Sequence, residues 1–285
     1  PRGLMVFLFR LLSLLPLSLL HALGGALGRL VYWLSPTYRR HLRENMAQAG
    51  IDVALRGAVA AETGKQMIEL ARIWMRPLDE AVPLVAEVTG WEHVEAARAA
   101  GRGIVFLTPH LGCFEITAQY LSSFGDITVL YREPKSATAN ELILMGRKRA
   151  QLHLAPADLS GVRALIKALK KGQMVGMLPD QAPKTGEGVW LKFFGRYAYT
   201  MTLAARLTET GAAVIMVWAE RLPAGAGYHF HLQQPTQPIS GNTEERAVKI
   251  SHEIECLIRQ CPEQYLWGYN RYKRPRGVEA PPERA

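Results

Sequence analysis

Cysteine is scarce: Cys113, Cys256 and Cys261 are the only three in 285 residues. An odd number without zinc-type spacing implies neither a disulfide framework nor a metal site, and fits a reduced compartment. Acidic residues are short too, 25 against 34 Lys and Arg, for a formal net charge of +9. That balance favours an anionic partner: nucleic acid, an anionic membrane surface, a phosphorylated lipid or an acidic carrier protein. No Gly-x-Ser-x-Gly elbow occurs, which disfavours a serine hydrolase. Gly64-Lys65 is followed by Gln66, so there is no Walker A loop, and no dinucleotide Gly-x-Gly-x-x-Gly follows a strand. Internal repeats, long linkers and low-complexity runs are absent. Hydrophobic residues make up 48%, enough for a sizeable core and too many for a disordered chain.

The longest apolar run lies at the amino terminus. Residues 4–20 are apolar except for Arg10, Pro16 and two serines, and the character resumes through Val31-Tyr32-Trp33-Leu34. About 20 apolar residues span a bilayer core. Tyr32 and Trp33 suit an interfacial belt, and Arg39, Arg40 and Arg43 follow on the side that the positive-inside tendency makes cytoplasmic. The expectation is an uncleaved anchor helix over residues 1–35. Two alternatives are a signal peptide cleaved near Ala22-Leu23-Gly24 and a helix lying in the membrane interface, since Pro16 and Gly24-Gly25 interrupt the span.

Residues 36–80 read as helical. From Val85 the pattern alternates, with strands expected at 85–89, 104–108, 127–131, 175–178, 213–219 and 228–232. Helices are expected at 92–100, 114–123, 137–149, 161–171, 201–210 and 244–260. This alternation predicts an α/β fold with a mixed, largely parallel central sheet flanked by helices. The expected division is anchor 1–35, an α/β domain 36–277 and a loose tail 278–285, rich in proline and charge.

One segment carries the most chemistry. The strand-like run ending at Thr108-Pro109 leads into His110-Leu-Gly112-Cys113-Phe114-Glu115. A carboxylate five residues on, in the first turn of a helix, can reach back to the imidazole, and a histidine so held can act as general base on a hydroxyl. Gly112 would leave room for a substrate. With eight histidines and 25 acidic residues the spacing is common by chance, and His153 and Asp158 repeat it. Position separates them: His110 stands at a strand-to-helix switch, where α/β folds place ligands, whereas Asp158 looks like a helix cap. A hydrogen-bonded structural histidine is the other reading of His110.

Further along, Arg132 ends a strand and Arg147 sits late in the next helix; arginine forks suit phosphate and carboxylate. Asp180, in Leu178-Pro-Asp-Gln181, either positions a substrate group or makes an Asx turn. Trp190-Leu-Lys-Phe193-Phe194-Gly195 reads as an aromatic loop. The mixed run from Pro262 to Arg276, with Tyr265, Trp267 and Arg271, would suit anionic headgroups or nucleic acid.

Taken together these segments resemble the late acyltransferases of lipid A biosynthesis, the lauroyl/myristoyl transferase family. The likeness runs from the amino-terminal helix to about Gly277. It rests on Arg39-Arg-His-Leu-Arg-Glu-Asn45, His110-Leu-Gly-Cys-Phe-Glu115, Tyr131-Arg132, Pro179-Asp180-Gln181, Phe193-Phe-Gly195 with Thr200, and Pro262-Glu-Gln-Tyr-Leu-Trp267 with Arg271-Tyr-Lys273. Cys113-Phe114 departs from the Asn-Trp often found before the glutamate, and Lys192 from the usual proline before Phe-Phe-Gly. The resemblance implies a glycerolipid-acyltransferase-like fold and an inner-membrane enzyme with a cytoplasmic active site. It implies transfer of an acyl chain from acyl carrier protein to a 3-hydroxyacyl hydroxyl of a Kdo-bearing lipid A precursor. His110 would be the base, Glu115 its partner, and Arg132, Arg147 and Asp180 would contact substrate. The implied partners are acidic acyl carrier protein, anionic lipid A precursor and inner-membrane lipid, with no nucleic acid and no cofactor beyond the donor thioester. Another lipid acceptor (a lysophospholipid or a glycolipid) and a non-enzymatic basic binding protein are the alternatives.

Overall fold

The computed structural model describes residues 2–282. The amino-terminal segment forms two helices, α1 (Arg2–Leu12) and α2 (Leu17–Leu34), broken before Pro16, because a proline ring excludes the backbone of a continuing helix. Then come α3 (Pro36–Gln48), α4 (Arg56–Met75) and α5 (Leu78–Ala81). The alternating part is β1 (Val85–Thr89), α6 (Glu92–Ala99), β2 (Ile104–Leu107), α7 (Phe114–Ser122), β3 (Ile127–Tyr131) and α8 (Ala137–Gly146). It continues with β4 (Leu152–Pro156), α9 (Leu159–Lys170), β5 (Met174–Met177), β6 (Gly188–Phe193) and β7 (Arg196–Met201). The chain ends through α10 (Leu203–Thr208), β8 (Ala213–Arg221), β9 (Tyr228–Gln233) and α11 (Thr243–Gln260).

Seven strands form one sheet in the order β1-β9-β8-β2-β5-β3-β4, parallel throughout except where β9 meets β8. The expected mixed, largely parallel sheet is what forms. Strand side chains alternate between two cores. Val105 and Leu107 of β2 face the core under α9, α10 and α11, while Ile104 and Phe106 face the one under α4, α6 and α7.

Three strands were not expected. β4 is a five-residue edge strand ending in proline, and its apolar positions are too few to announce it. β6 and β7 form a separate hairpin out of the supposed aromatic loop. Its two-residue turn, Phe194-Gly195, has positive φ at both positions (47° and 76°), the combination that suits the strand twist. Asp158 does cap α9, accepting from the backbone N–H groups of Ser160 and Gly161.

The anchor is not a separate unit. α2 buries Leu17, Leu20, His21, Gly24, Gly25, Gly28 and Tyr32, a helical stripe, against α4. Gly24 and Gly25 do not interrupt the helix; they let it approach. A Cβ on Gly28 would stand 2.0 Å from the Ala60 carbonyl oxygen, and one on Gly64 2.0 Å from that of Gly24. This is the small-residue packing that brings two helix backbones together. His21 then reaches Glu69 of α4 at 2.9 Å. Glu69 also accepts from Arg221 (2.5 and 2.8 Å) and Tyr228 (2.9 Å), so one buried carboxylate ties α2, α4, β8 and β9. At the other end the chain beyond Gly277 is held: Val278 is buried and the Trp190 indole donates to the Glu279 carbonyl. Residues 283–285 of the expected tail lie outside the described residues.

Candidate active site

Two adjacent strands end alike. β2 runs into Thr108-Pro109-His110 and β5 into Leu178-Pro179-Asp180. Leu107 is level with Met177 in the parallel ladder, and the Thr108 N–H donates to the Met177 carbonyl. Proline cannot donate to a ladder, so both strands stop at the same height and His110 and Asp180 face each other three residues on. Asp180 Oδ1 accepts from the imidazole Nδ1 at 2.8 Å, and Oδ2 accepts from the His110 backbone N–H at 3.0 Å.

Burial alone would raise the Asp180 carboxyl. The charge of His110 and its two hydrogen bonds outweigh that and hold it below the usual carboxylate range. An ionised Asp180 fixes Nδ1 as the protonated nitrogen, so Nε2 carries the lone pair. That lone pair faces the side-chain nitrogen of Gln181 at 3.1 Å. His110 is the partly exposed member of the group and Asp180 the buried one.

Glu115 therefore does not hold the imidazole, as its spacing led us to expect. It is buried at the start of α7 and accepts from the Trp74 indole at 2.9 Å and from both arms of the Arg147 guanidinium, Nε at 3.1 Å and Nη2. Burial would raise its carboxyl, but Arg147, then Trp74 and the nearby His110, hold it down. Arg147 in turn is pushed above its ordinary value by Glu115 despite its own burial. The reach from position 115 back to 110 was geometrically open. A bidentate guanidinium is the stronger partner, and Asp180 already filled the Nδ1 position.

The other expectations shift accordingly. Arg147 gives Nε and Nη2 to Glu115, and Asp180 accepts with both oxygens from His110, so both are engaged within the protein. Arg132 does lie on this rim, just past β3, but exposed and 3.5 Å from Glu187. Gly112 (φ 60°) makes room for the protein itself: a Cβ there would come 1.9 Å from the Ala219 carbonyl oxygen of β8. The Cys113 N–H donates to that same carbonyl, and Gln66 donates to the Gly112 carbonyl. The turn carrying His110 is thus clamped from two sides.

Sequence reasoning left Trp74, Gln66 and Gln181 without roles; the twin strand-x-Pro endings were the readable sign that Asp180 and Gln181 belong with His110. The motif residues farther away build the frame. Asn45 donates to the Trp267 and Tyr269 carbonyls, and buried Arg271 donates to the Tyr199 carbonyl and the Thr200 hydroxyl.

A narrow cleft opens beside Glu115 and Arg147. Phe106, Phe114, Leu121, Val129, Gly176 and Val217 line it, and its free space is about 40 Å³, room for a few water-sized groups. A larger cavity of about 670 Å³ sits at the opposite ends of the strands, where Arg102 is committed to the Gly211 and Ala212 carbonyls. It lacks any nucleophile–base pair, so the His110 rim is the better candidate.

The arrangement is a carboxylate-held histidine whose Nε2 faces the Gln181 amide, next to an apolar cleft, at the carboxyl edge of a parallel sheet. The profile of the family described as "Bacterial lipid A biosynthesis acyltransferase" matches residues 3–274. The "Lipid A biosynthesis lauroyltransferase" of Escherichia coli K12 is 29% identical over 75% of this chain and 71% of its own length. The "Lipid A biosynthesis palmitoleoyltransferase" of the same organism is 25% identical over 92% and 88%. A "Lipid A biosynthesis acyltransferase" of Haemophilus influenzae is 27% identical over 64% of this chain, and the match spans 57% of that protein. With a match that takes in the sheet, the His110 turn and the Asp180 turn together, this chain belongs to the bacterial lipid A biosynthesis acyltransferase family.

Proposed function

We propose that this chain transfers a fatty acyl group from acyl carrier protein to a hydroxyl on a 3-hydroxyacyl chain of a Kdo-bearing lipid A precursor. The observation that carries the mechanism is the His110–Asp180 pair, with Nδ1 held by the carboxylate and Nε2 facing the Gln181 amide. The acceptor hydroxyl takes the place of the Gln181 amide at Nε2. His110 removes its proton as the oxygen attacks the thioester carbonyl, and ionised Asp180 stabilises the imidazolium. The C–O bond forms, the C–S bond breaks, and the imidazolium returns the proton to the departing thiolate. Gln181, displaced from Nε2, donates to the oxyanion that develops on the carbonyl. A thioester is reactive enough that no acyl-enzyme is needed.

Glu115 acts as a positioning residue in this scheme. Its ion pair with Arg147 and its bond to Trp74 fix the start of α7, whose first residue, Phe114, packs edge-on against the His110 ring at 4.8 Å. The apolar cleft receives the start of the acyl chain. The acidic carrier and the phosphorylated acceptor both suit a chain of net charge +9.

We further propose that the protein sits in the inner membrane by one face, with the active site toward the cytoplasm. α2 is long and apolar enough to cross a bilayer, but 39% of it is buried in the fold. Its outer face bears exposed Leu19, Leu23, Leu27, Leu30 and Trp33, continuing Phe7, Leu8 and Leu11 of α1. A one-sided apolar surface of this kind favours lying in the interface over a free-standing span.

The test is mass spectrometry of a Kdo-bearing lipid A precursor incubated with detergent-solubilised protein and a panel of acyl-carrier thioesters. A gain of one acyl chain is expected, absent with His110→Ala. Acylation of a lysophospholipid, with none of the lipid A precursor, would overturn the acceptor assignment.

A further inference from the structure

The histidines of β9 make a grouping that the active-site chemistry does not use. His229 and His231 alternate along the strand and so face the same side. Cross-strand register sets Glu220 of β8 and Glu87 of β1 on either side of His229. The imidazole Nε2 of His231 lies 2.9 Å from Glu220, and Nδ1 of His229 lies 3.5 Å from Glu87. One ligand atom from each of Glu220, His229 and His231 falls within 4.8 Å of the other two, and all three residues are half-buried.

We propose that Glu220, His229 and His231 form a binding site for a divalent transition-metal ion, zinc by preference, on the face of the sheet. Two imidazoles and one carboxylate make a donor set suited to zinc, leaving a fourth position for water. The surroundings are arranged as outer partners of a metal site. The Thr89 hydroxyl lies 2.7 Å from Nε2 of His229, and Glu87 is beside its other nitrogen, so whichever nitrogen binds, the remaining one has a partner that orients the ring. His231 is stacked on Trp218 at 4.4 Å with 10° between planes, which fixes its plane. The two imidazole rings are 3.8 Å apart. One ligand atom from each ring already falls within reach of a shared ion, which would bridge the two imidazoles and Glu220.

The site fastens β9 to β8, one strand in from the edge strand β1. Three ligands from β8 and β9 join the one antiparallel pair in the sheet, and Glu220 follows Ala219, whose carbonyl holds the Cys113 N–H behind the His110 turn. No metal site was expected from sequence because that reading weighed cysteines; the sign was His229-x-His231.

The experiment strips the purified full-length chain with a chelator and measures zinc uptake by competition with a chromophoric chelator. It is run for the native protein, His231→Asn, Glu220→Gln and, as a control, His153→Asn, whose surface pair with Asp126 is unrelated. One zinc per chain is expected for native protein and control, with affinity lower by at least roughly tenfold in the other two. Zinc should raise the melting temperature only of the chains that bind it, while all four melt cooperatively without metal. No uptake by folded native protein, or equal uptake by His231→Asn and Glu220→Gln, would overturn the site. Uptake with no rise in melting temperature would overturn the fastening.

Discussion

At the scale of single residues, the site shows why spacing finds a pair but not its pairing. His110 and Glu115 were legible because an imidazole and a carboxylate flank the entrance of one helix. Which carboxylate takes Nδ1 depends on strand register, and register is a long-range property. Only the β2–β5 ladder brings Asp180 to the height of His110. Glu115 found a better partner in Arg147, 32 residues away. This assignment makes a prediction. Glu115→Ala and Arg147→Ala each leave a largely buried charge unpaired, at about 3 kcal/mol of stability apiece. The double variant should cost little more than either single one, a coupling that chemical denaturation of the four proteins would reveal. Additive losses would mean that the pair is not energetically real.

At the scale of elements, periodicity located six of the seven strands of the central sheet and the helices between them to within a few residues. The exceptions have physical reasons. β4 has little apolar patterning because an edge strand needs little, and the β6–β7 hairpin hides behind a turn in which a buried phenylalanine adopts positive φ. Phe194 bears that strain because its surroundings over-determine it: Glu255 accepts its N–H, Gln48 donates to its carbonyl, and Arg259 lies over its ring at 4.9 Å. α2 was recognised as apolar, yet its glycines were read as interruptions when they are contact points. Gly28→Ala should force α2 off α4, lowering stability by about 1–3 kcal/mol, as overpacking does. Thermal melting would show it, and Gly57→Ala, which meets open space on the same α4, should cost nothing by that mechanism.

At the scale of the whole molecule, the buried carboxylates set the acid limit of stability. Glu69 is lowered from 4.5 to about 2: burial would raise it, but Arg221 and His21 prevail. Because its folded value is the lower one, the unfolded chain binds the proton first. The stability it contributes is present in full above about pH 4.5 and is lost as pH falls through about 2. Glu115 and Asp180 are shifted in the same direction and add to the effect. Denaturant titrations should therefore show stability falling from about pH 4.5 downward, and a flat profile there would contradict the network. The apolar face of α1 and α2 gives a second expectation. Leu23→Glu with Leu27→Glu, both on exposed positions, should release the protein from anionic vesicles without altering its fold. Retained binding on flotation would shift the membrane contact elsewhere.

The claim on which the mechanism turns is that Asp180, rather than Glu115, orients His110. Single-turnover acyl transfer by Asp180→Asn, measured beside native protein with melting followed in parallel, tests it most directly. The expected result is a folded protein that binds acceptor with little change yet transfers the acyl group ~10²–10⁴-fold more slowly. Transfer within a few-fold of native by a folded Asp180→Asn would contradict the account and return the orienting role to Glu115.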